Sequence, residues 1–435
     1  MKNSLNNDII FAERLSLLVA LLLFLMVALF KLSSFEQLYH RPQHDLRAYL
    51  ACGHNIVEGR HIYKTHHKFI SADPTLTSHI PKYIYPPLLG MMAVPFNSVP
   101  YTTFKKYWFF FNFFMLFHGI LLAVTFLPFK QYKLTAFFAV SAVMLGSDSL
   151  RLLLYTAQVD GLSIYLSMLA LFYFNRKKWL PAAIFITVAS WIKVTPGIFF
   201  LYFLTRGNLK FAVYGVISTL FLTIIQMAAV GRDQFFYFFT DVLTDLPEIL
   251  PVPGMESLWS LTHLLVVPEG NYKIFDAPDL FNGLLTVFKI IVGLMLFLPF
   301  VRRSDRKDDF FTGFAILSAG SLLITDLSWM MRFIWNYVSL AVLFYIMSVL
   351  RHKVIAPLVI VTGVLFMLLN SNFIWWALLK GNTDGYKGLF AAGVSFYTLF
   401  SLIIMSVYYF TGGYWNPDLK RLLIKTIDTL KKVIP

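Results

Sequence analysis

The sequence predicts an all-α polytopic membrane protein with about twelve transmembrane or re-entrant helices. Of its 435 residues, 58% are hydrophobic and 14% are charged, and the mean hydropathy is +0.66. Soluble domains carry about 25% charged residues, whereas several uncharged runs here approach the roughly 20 residues that cross a bilayer. Since backbone polar groups must be satisfied within a segment in lipid, these runs predict helices. This composition excludes a soluble enzyme.

The first apolar run, 15–30, predicts a retained span. It lies between Arg14 and Lys31, and no small-residue cleavage site follows it, which argues against a signal peptide. Several later apolar segments are shorter than a straight crossing requires, so we expect broken or re-entrant pieces among them. The later segments are 107–129, 134–147, 160–174, 180–192, 196–205, 210–230, 284–301, 310–326, 329–350, 355–373 and 389–411.

Two long polar segments, 32–106 and 231–283, interrupt the spans. With a cytoplasmic N-terminus, the positive-inside rule places basic clusters such as 176–178 (RKK) inside and both long segments on the outer face. We therefore predict one membrane domain over 1–411 that contains these two outer loops. A basic cytoplasmic tail over 412–435 is predicted to lie as a helix on the anionic inner leaflet.

Charge and cysteine content exclude several partners. The net charge of +14 comes from Lys and Arg between apolar runs, without a basic domain, so orientation in a membrane explains it and no nucleic acid is expected. A single cysteine, Cys52, excludes an intramolecular disulfide and any multi-cysteine metal site. The histidines of the first outer loop lack ligand spacing and predict no zinc site. They are His61, His66, His67 and His79.

Asp45 opens a predicted amphipathic helix in the first outer loop. Apolar residues recur at helical spacing over 46–57, and Gly59 ends the pattern, so we expect a helix on the membrane surface. An aspartate at such a start is either the helix N-cap or a catalytic group, and the two roles are compatible. The spacing alone leaves this choice open.

A proline-rich elbow follows at 83–87 (YIYPP). Its two prolines fix backbone angles and remove hydrogen-bond donors, so we expect a rigid extended segment. This elbow returns the chain to the membrane.

Lys193 lies between two short apolar segments, where an unpaired charge is unfavourable. It is predicted to face a cavity, an anionic partner or the interface, with a snorkelling lysine at a hairpin tip as the alternative. Pro196 is predicted to begin the next helix, at a position that tolerates proline.

A polar helical face is predicted late in the chain. Ser328, Trp329, Arg332 and Asn336 are spaced to share one face of a helix, and Arg332 lies inside an apolar run. We expect this face to line the cavity.

Polar residues also occur around the short segments at 146–160. Asp148 and Arg151 have the spacing of a self-neutralising ion pair, which is the reading that we favour. Gln158 and Asp160 have no such local explanation and are candidate site residues.

Taken in order, these features resemble glycosyltransferase family 87, the polyprenyl-phosphate-mannose-dependent mannosyltransferases of the GT-C type, formerly a domain of unknown function. The resemblance is one of pattern and covers about residues 40–340. Where the family often shows Gly-Gln-x-Asn, this chain has AQVD at 157–160. The other matching segments are 45–49 (DLRAY), 59–63 (GRHIY), 85–87 (YPP), 193–196 (KVTP), 256–258 (ESL) and 328–329 (SW).

The resemblance implies a GT-C-like bundle with a surface helix on the outer face, and an essential acidic residue that maps onto Asp45. It also implies a polyprenyl-phosphate-sugar donor. One departure is that relatives often carry histidine shortly after the late Ser-Trp, whereas this chain has Met330, Met331 and Arg332. We expect Arg332 to substitute as a phosphate contact. The expected location is the bacterial inner (plasma) membrane, with the active site on the outer, periplasmic face.

Sugar transfer from a lipid phosphate needs a base near the acceptor hydroxyl and cations around the departing phosphate. We predict that Asp45 takes the acceptor proton in one inverting displacement that moves a hexose, mannose first, or a pentose to a glycolipid or glycan. The lipid tail would lie in a groove open to the bilayer. Predicted phosphate ligands are Lys193, Arg332, Lys105 and Arg47. Predicted substrate-binding residues are Tyr49, Tyr85, Gln158, Asp160, Trp329 and Asn336.

No cofactor or metal is predicted, since residues 44–45 offer no second carboxylate, although some GT-C enzymes use a divalent ion with paired acids. The main alternative function is a transporter or lipid flippase. Polar content concentrated in the outer loops, and the lack of a clear repeat between the halves, argue against it. A transferase of phosphoethanolamine or acyl groups is a further alternative, but clustered metal ligands and a persuasive nucleophile are missing.

Overall fold

The computed structural model describes residues 2–41, 43–64, 81–129, 132–207, 209–245, 257–259, 261–262, 277–302, 307–325, 328–350 and 383–411. Regular structure within these ranges is helical throughout. The predicted span 355–373 and the predicted tail 412–435 lie outside the described residues, so the division into a domain and a tail stays a prediction.

The described helices alternate between long spans and short segments. In chain order they are α1 (Lys2–His40), α2 (His44–Val57), α3 (Pro87–Ala93), α4 (Tyr101–Phe126), α5 (Lys133–Gly146), α6 (Asp148–Thr156), α7 (Asp160–Asn175), α8 (Trp179–Ile192), α9 (Gly197–Arg206), α10 (Leu209–Val230), α11 (Arg232–Tyr237), α12 (Phe281–Val301), α13 (Lys307–Ile324), α14 (Asn336–Leu350) and α15 (Thr383–Phe410). Short 3₁₀ helices occur at Val94–Phe96, Pro278–Leu280 and Met330–Trp335, and a π-helical turn, Phe238–Val242, follows α11.

Five helical stretches of the described chain are long and apolar enough to cross a membrane. They are Glu13–Val57, Tyr101–Phe126, Leu209–Val230, Pro278–Val301 and Met330–Val349. A sixth results if α5 and α6, bent by 62° where they meet, form one broken span. The chain is therefore an all-helical, multi-pass membrane protein, as predicted. The count of about twelve is not confirmed by the described residues, and the short segments on either side of Lys193 are observed as α8 and α9.

Apolar side chains are exposed on the helices that face outward. α1, α10 and α12 each carry such a surface; Leu29 on α1, for example, is 72% exposed. Aromatic rings pack closely inside the bundle, where Phe199 on α9 stacks on Phe314 of α13 with ring centroids 4.1 Å apart. An apolar surface around a packed interior is what contact with lipid requires, because lipid solvates apolar side chains as well as the core does.

The helix predicted from Asp45 is α2. Its N-cap is Gln43, in an extended conformation, and Gly59 adopts a φ of +65° just beyond the end of the helix. The N-cap reading of Asp45 is therefore wrong, because the helix begins at His44 and Asp45 lies in its first turn. The place of α2 on the outer membrane face stays a prediction.

A glycine contact joins α2 to α3. A Cβ built at Gly53 lies 3.0–3.1 Å from backbone atoms of Gly90, Ala93 and Val94. That approach is tighter than nine in ten real Cβ contacts, so a side chain here displaces the neighbouring backbone by a few tenths of an ångström. The elbow before α3 is extended as predicted, since Pro86 has a φ of −56° and a ψ of 154°.

We predict that Gly53→Leu lowers the apparent melting temperature of the purified protein in detergent, because overpacking of this kind destabilises by about 1–3 kcal/mol. Intrinsic fluorescence during heating would measure it. The matched control is Gly293→Leu on α12, where a Cβ meets nothing within 4 Å. Equal melting temperatures for the two variants would contradict the close packing of α2 on α3.

Candidate functional site

Buried polar side chains gather where helices begin or end. The turn between α6 and α7 is made by Ala157, which adopts a positive φ of 61° and donates its N–H to the carbonyl of Leu153. Alanine rarely adopts this conformation, which glycine accepts readily. The turn brings Gln158 to the beginning of α2 and places Asp160 at the N-terminus of α7, where the helix dipole favours a carboxylate.

A chain of hydrogen bonds holds the carboxylate of Asp45. The side-chain amide of Gln158 donates to Asp45 Oδ2. The amide oxygen of Gln158 in turn accepts from the hydroxyl of Tyr85 at 2.7 Å. Tyr49 packs edge-on against Tyr85, with ring centroids 5.4 Å apart. The elbow, the α6–α7 turn and α2 together therefore orient one half-buried carboxylate.

A second group of charges surrounds Asp160. Its fully buried carboxylate accepts from Lys193 Nζ at 2.8 Å and 2.7 Å, through both oxygens. Arg332 Nε lies 3.7 Å from Asp160 Oδ1. The indole N–H of Trp335 donates to the backbone carbonyl of Asp160 at 3.1 Å. Lys193 is thus paired with an anion, one of the three surroundings that the sequence predicted.

Polar neighbours also fix the guanidinium of Arg332. It donates to Thr195 Oγ1 at 2.8 Å and to Ser328 Oγ at 3.1 Å. The ammonium of Lys193 lies 6.0 Å from the centre of the Tyr85 ring, so Tyr85 borders both groups of polar residues. The cations Lys193 and Arg332 and the candidate base Asp45 therefore lie in one cluster of polar residues.

Lys105 and Arg47 lie elsewhere, around the ring of Tyr101. Lys105 Nζ is 6.0 Å and the Arg47 guanidinium carbon 5.9 Å from its centre. The Tyr101 hydroxyl accepts from the backbone N–H of Gln43 at 3.0 Å. These two cations therefore flank the beginning of α2 rather than Asp160, and their role as phosphate ligands stays a prediction.

The predicted polar face at 328–336 is only partly formed. Ser328 and Arg332 meet, but Asn336 donates instead to Thr398 on α15 at 3.0 Å. The prediction of one shared helical face is wrong for Asn336, because residues 330–335 form a 3₁₀ helix with three residues per turn, and α14 begins only at Asn336. Trp329 is half-buried at the start of this segment.

Two further comparisons with the sequence concern ion pairs and positioning groups. Asp148 and Arg151 form the predicted ion pair within α6.

Sequence reasoning missed Thr195 and Trp335. Thr195 accepts a hydrogen bond from Arg332, and Trp335 donates one to the backbone carbonyl of Asp160. The position of Thr195 between Lys193 and Pro196 was a usable signal, whereas nothing in the spacing indicated Trp335.

An apolar groove of about 590 Å³ adjoins the site. Tyr49 belongs to both, since its ring also contacts Tyr85. Trp108 lines the groove and donates its indole N–H to the carbonyl of Ala157 at 3.1 Å. Phe110 and Phe114 at the outer side are more than half exposed, so the groove opens sideways. Its lining consists of Leu46, Tyr49, Leu89, Met92, Ala93, Phe96, Phe104, Tyr107, Trp108, Phe110, Phe111, Phe114 and Leu162.

The family model of glycosyltransferase family 87 matches residues 83–331, more than half of the chain. The match falls on a chain whose apolar spans make it a multi-pass membrane protein. The chain belongs to glycosyltransferase family 87. The matched range contains Tyr85, Gln158, Asp160 and Lys193. Asp45 lies before it.

The chain is also similar to the polyprenol-phosphate-mannose-dependent alpha-(1-2)-phosphatidylinositol pentamannoside mannosyltransferase of Mycobacterium tuberculosis (strain CDC 1551 / Oshkosh). The two are 22% identical over 271 residues. This match covers 61% of the chain and 59% of the mycobacterial protein, less than two thirds of its length.

We predict that Lys193→Met destabilises the protein by about 3–5 kcal/mol, because it removes the closest partner of a buried carboxylate. The double variant Asp160→Asn/Lys193→Met also removes the buried negative charge of Asp160, and it should recover part of the lost stability. Apparent melting temperatures of the single and double variants would measure this coupling. If the double variant is less stable than Lys193→Met alone, the ion pair is not what holds this site.

Proposed function

We propose that this protein transfers a sugar from a polyprenyl-phosphate donor to a hydroxyl group of a glycolipid or glycan acceptor. Mannose is the sugar proposed first, because the printed name of the mycobacterial relative specifies a polyprenol-phosphate-mannose donor; another hexose or a pentose is the alternative. The proposed location is the outer, periplasmic face of the bacterial inner membrane, as the distribution of basic residues predicts.

The observation that carries this proposal is the position of Asp45 beside the cations. The carboxylate of Asp45 binds Gln158, which binds Tyr85, and Lys193 lies over the Tyr85 ring. A base and a phosphate-binding cation that border the same tyrosine would meet the acceptor hydroxyl and the sugar phosphate in one site. Transfer of a sugar from a phosphate requires these two partners.

Asp45 is the proposed general base of a single displacement. The acceptor oxygen attacks the anomeric carbon, and its proton passes to the Asp45 carboxylate. The bond from that carbon to the phosphate oxygen breaks, and its electron pair stays on the phosphate. Attack opposite the leaving group inverts the configuration of the sugar. The hydrogen bond from Gln158 to Oδ2 orients the carboxylate, and Oδ1 is the oxygen proposed to take the proton.

Lys193 and Arg332 are the proposed ligands of the phosphate. The phosphate gains negative charge as the bond to the sugar breaks, so cations fixed beforehand stabilise the transition state more than the ground state. Both cations are held by hydrogen bonds that they donate within the protein, Lys193 to Asp160 and Arg332 to Thr195. Little reorganisation is then needed at the moment of transfer. Lys105 and Arg47, around the Tyr101 ring at the beginning of α2, are proposed as further phosphate contacts.

The aromatic groove is the proposed binding site of the prenyl chain. Its lining includes Tyr49, which packs on Tyr85, and Trp108, which donates to the carbonyl of Ala157 in the α6–α7 turn. A donor with its chain in the groove would present its phosphate to Lys193. Tyr49 and Trp329 remain proposed substrate contacts, whereas Asn336 is buried and donates to Thr398. The family assignment favours this reading over a transporter or flippase.

We predict that Asp45→Asn abolishes transfer of labelled sugar from polyprenyl-phosphate-mannose to lipid acceptors in membranes, with a loss of about 100-fold or more, since the amide cannot take a proton. The matched control is Glu58→Gln beyond the other end of α2, where the carboxylate pairs only with His54 and Arg60 in what the structure describes. Transfer should persist in this control. Equal transfer by wild type and Asp45→Asn, at equal protein level, would refute Asp45 as the base.

We predict that transfer continues unchanged after chelation of divalent ions with EDTA. The sequence at 44–45 supplies no paired carboxylates, and two fixed cations are available to neutralise the phosphate. The assay compares initial rates before and after chelation in wild-type membranes. Loss of transfer that returns on addition of magnesium or manganese would make the enzyme metal-dependent.

A further inference from the structure

Three charged side chains meet in the interior beside the proposed phosphate. Among the described residues, the cations within 4.0 Å of the Asp160 carboxylate are Lys193 and Arg332. We propose that Asp160 acts as a charge-setting residue: it lowers the net charge of Lys193, Arg332 and Asp160 together from two to one, and so favours a singly charged phosphodiester donor over a doubly charged phosphomonoester product at any given charge of the nearby Asp45. The inference rests on the proposed function.

The geometry gives Asp160 no direct role in contacting a substrate. Its side chain is fully buried, and both carboxylate oxygens already accept from Lys193. The ammonium of Lys193 is nearer to the outside, since its side chain is 18% exposed. An incoming phosphate would therefore meet Lys193 first, with Arg332 and Asp160 behind it. At that position, a carboxylate changes the charge that the phosphate experiences without touching it.

Donor and product differ mainly in the charge of their phosphate. A sugar phosphodiester carries one negative charge, whereas a phosphomonoester carries about 1.5 to 2 near pH 7. The interaction of a site with an anion grows with the product of the two charges. Removal of the Asp160 charge raises the net charge of these three side chains from one to two. It therefore strengthens binding of the monoester about twice as much as binding of the diester. Asp160 thus limits retention of the spent lipid phosphate.

The charge of Asp160 can be removed without loss of the contact that holds its backbone. The indole N–H of Trp335 binds the backbone carbonyl of Asp160, and this bond does not depend on the side chain. An asparagine at this position keeps the shape and the backbone contact and removes the charge. Arg332→Gln makes the opposite change and leaves the ion pair of Lys193 with Asp160 in place.

The test is a charge series in the full-length protein, purified and placed in nanodiscs. Two probes of equal chain length are used, a polyprenyl monophosphate and its methyl phosphodiester, and their dissociation constants are measured by competition against radiolabelled monophosphate at pH 7.5. The reported quantity is the preference for the monoester, which is the dissociation constant of the diester divided by that of the monoester. Any general loss of packing cancels in this ratio.

We expect the preference for the monoester to rise about tenfold in Asp160→Asn and to fall in Arg332→Gln. The double variant Asp160→Asn/Arg332→Gln restores a net charge of one and should return to the wild-type ratio. Asp148→Asn is the matched control, because it removes a buried carboxylate from the first residue of α6, where its partner is Arg151. Its ratio should equal that of wild type.

A purely structural role for Asp160 would weaken both probes together in the single variants, and an unchanged ratio would overturn the inference. Should Asp160→Asn fail to fold, Arg332→Gln still decides, because a ratio that does not fall in it also overturns the inference. If neither probe binds the wild-type protein, the proposed polyprenyl-phosphate site itself is wrong. That result differs from an unchanged ratio with binding intact, which removes the charge-setting role and leaves the proposed function standing.

Discussion

The ion pair between Lys193 and Asp160 is the interaction on which the site depends. A buried carboxylate without a cation would be strongly destabilising, so the linker between α8 and α9 must lie against the start of α7. That contact fixes where Arg332 can approach. Three interruptions of the helices meet here, namely the α6–α7 turn, the α8–α9 linker and the 3₁₀ segment before α14, so the helices that end at them are short. The interrupted spans around residues 146–160 and 193–196 are therefore a requirement of the site and not an irregularity of the bundle.

Backbone geometry supplies the second constraint, at the turn that joins α6 to α7. Ala157 holds a positive φ there, and the two residues that matter most in the turn face different partners: Gln158 faces Asp45, and Asp160 faces Lys193. One turn thus links the candidate base to the candidate phosphate ligands. A change in its conformation would move both contacts together, so the spacing between Asp45 and Lys193 depends on residues 157–160.

Local features of this protein could be predicted from the sequence, and features that join distant segments could not. The apolar periodicity after Asp45 predicted α2, and the spacing of Asp148 and Arg151 predicted their ion pair. The partner of Lys193 lies 33 residues away along the chain, beyond the reach of any periodicity. Asn336 was misplaced because a 3₁₀ segment interrupts the helical repeat that the prediction assumed. The number of spans could not be counted from the sequence, because helices such as α9 are too short to cross a bilayer alone.

The sideways opening of the aromatic groove determines how a lipid substrate would be supplied. A lipid that enters past the exposed rings of Phe110 and Phe114 would arrive by diffusion within the plane of the bilayer, in two dimensions instead of three. Its effective concentration is then its mole fraction among the surrounding lipids. Saturation of such an enzyme depends on how far the donor is diluted by other lipids, and dilution of the aqueous phase around the same membranes leaves the supply of donor unchanged.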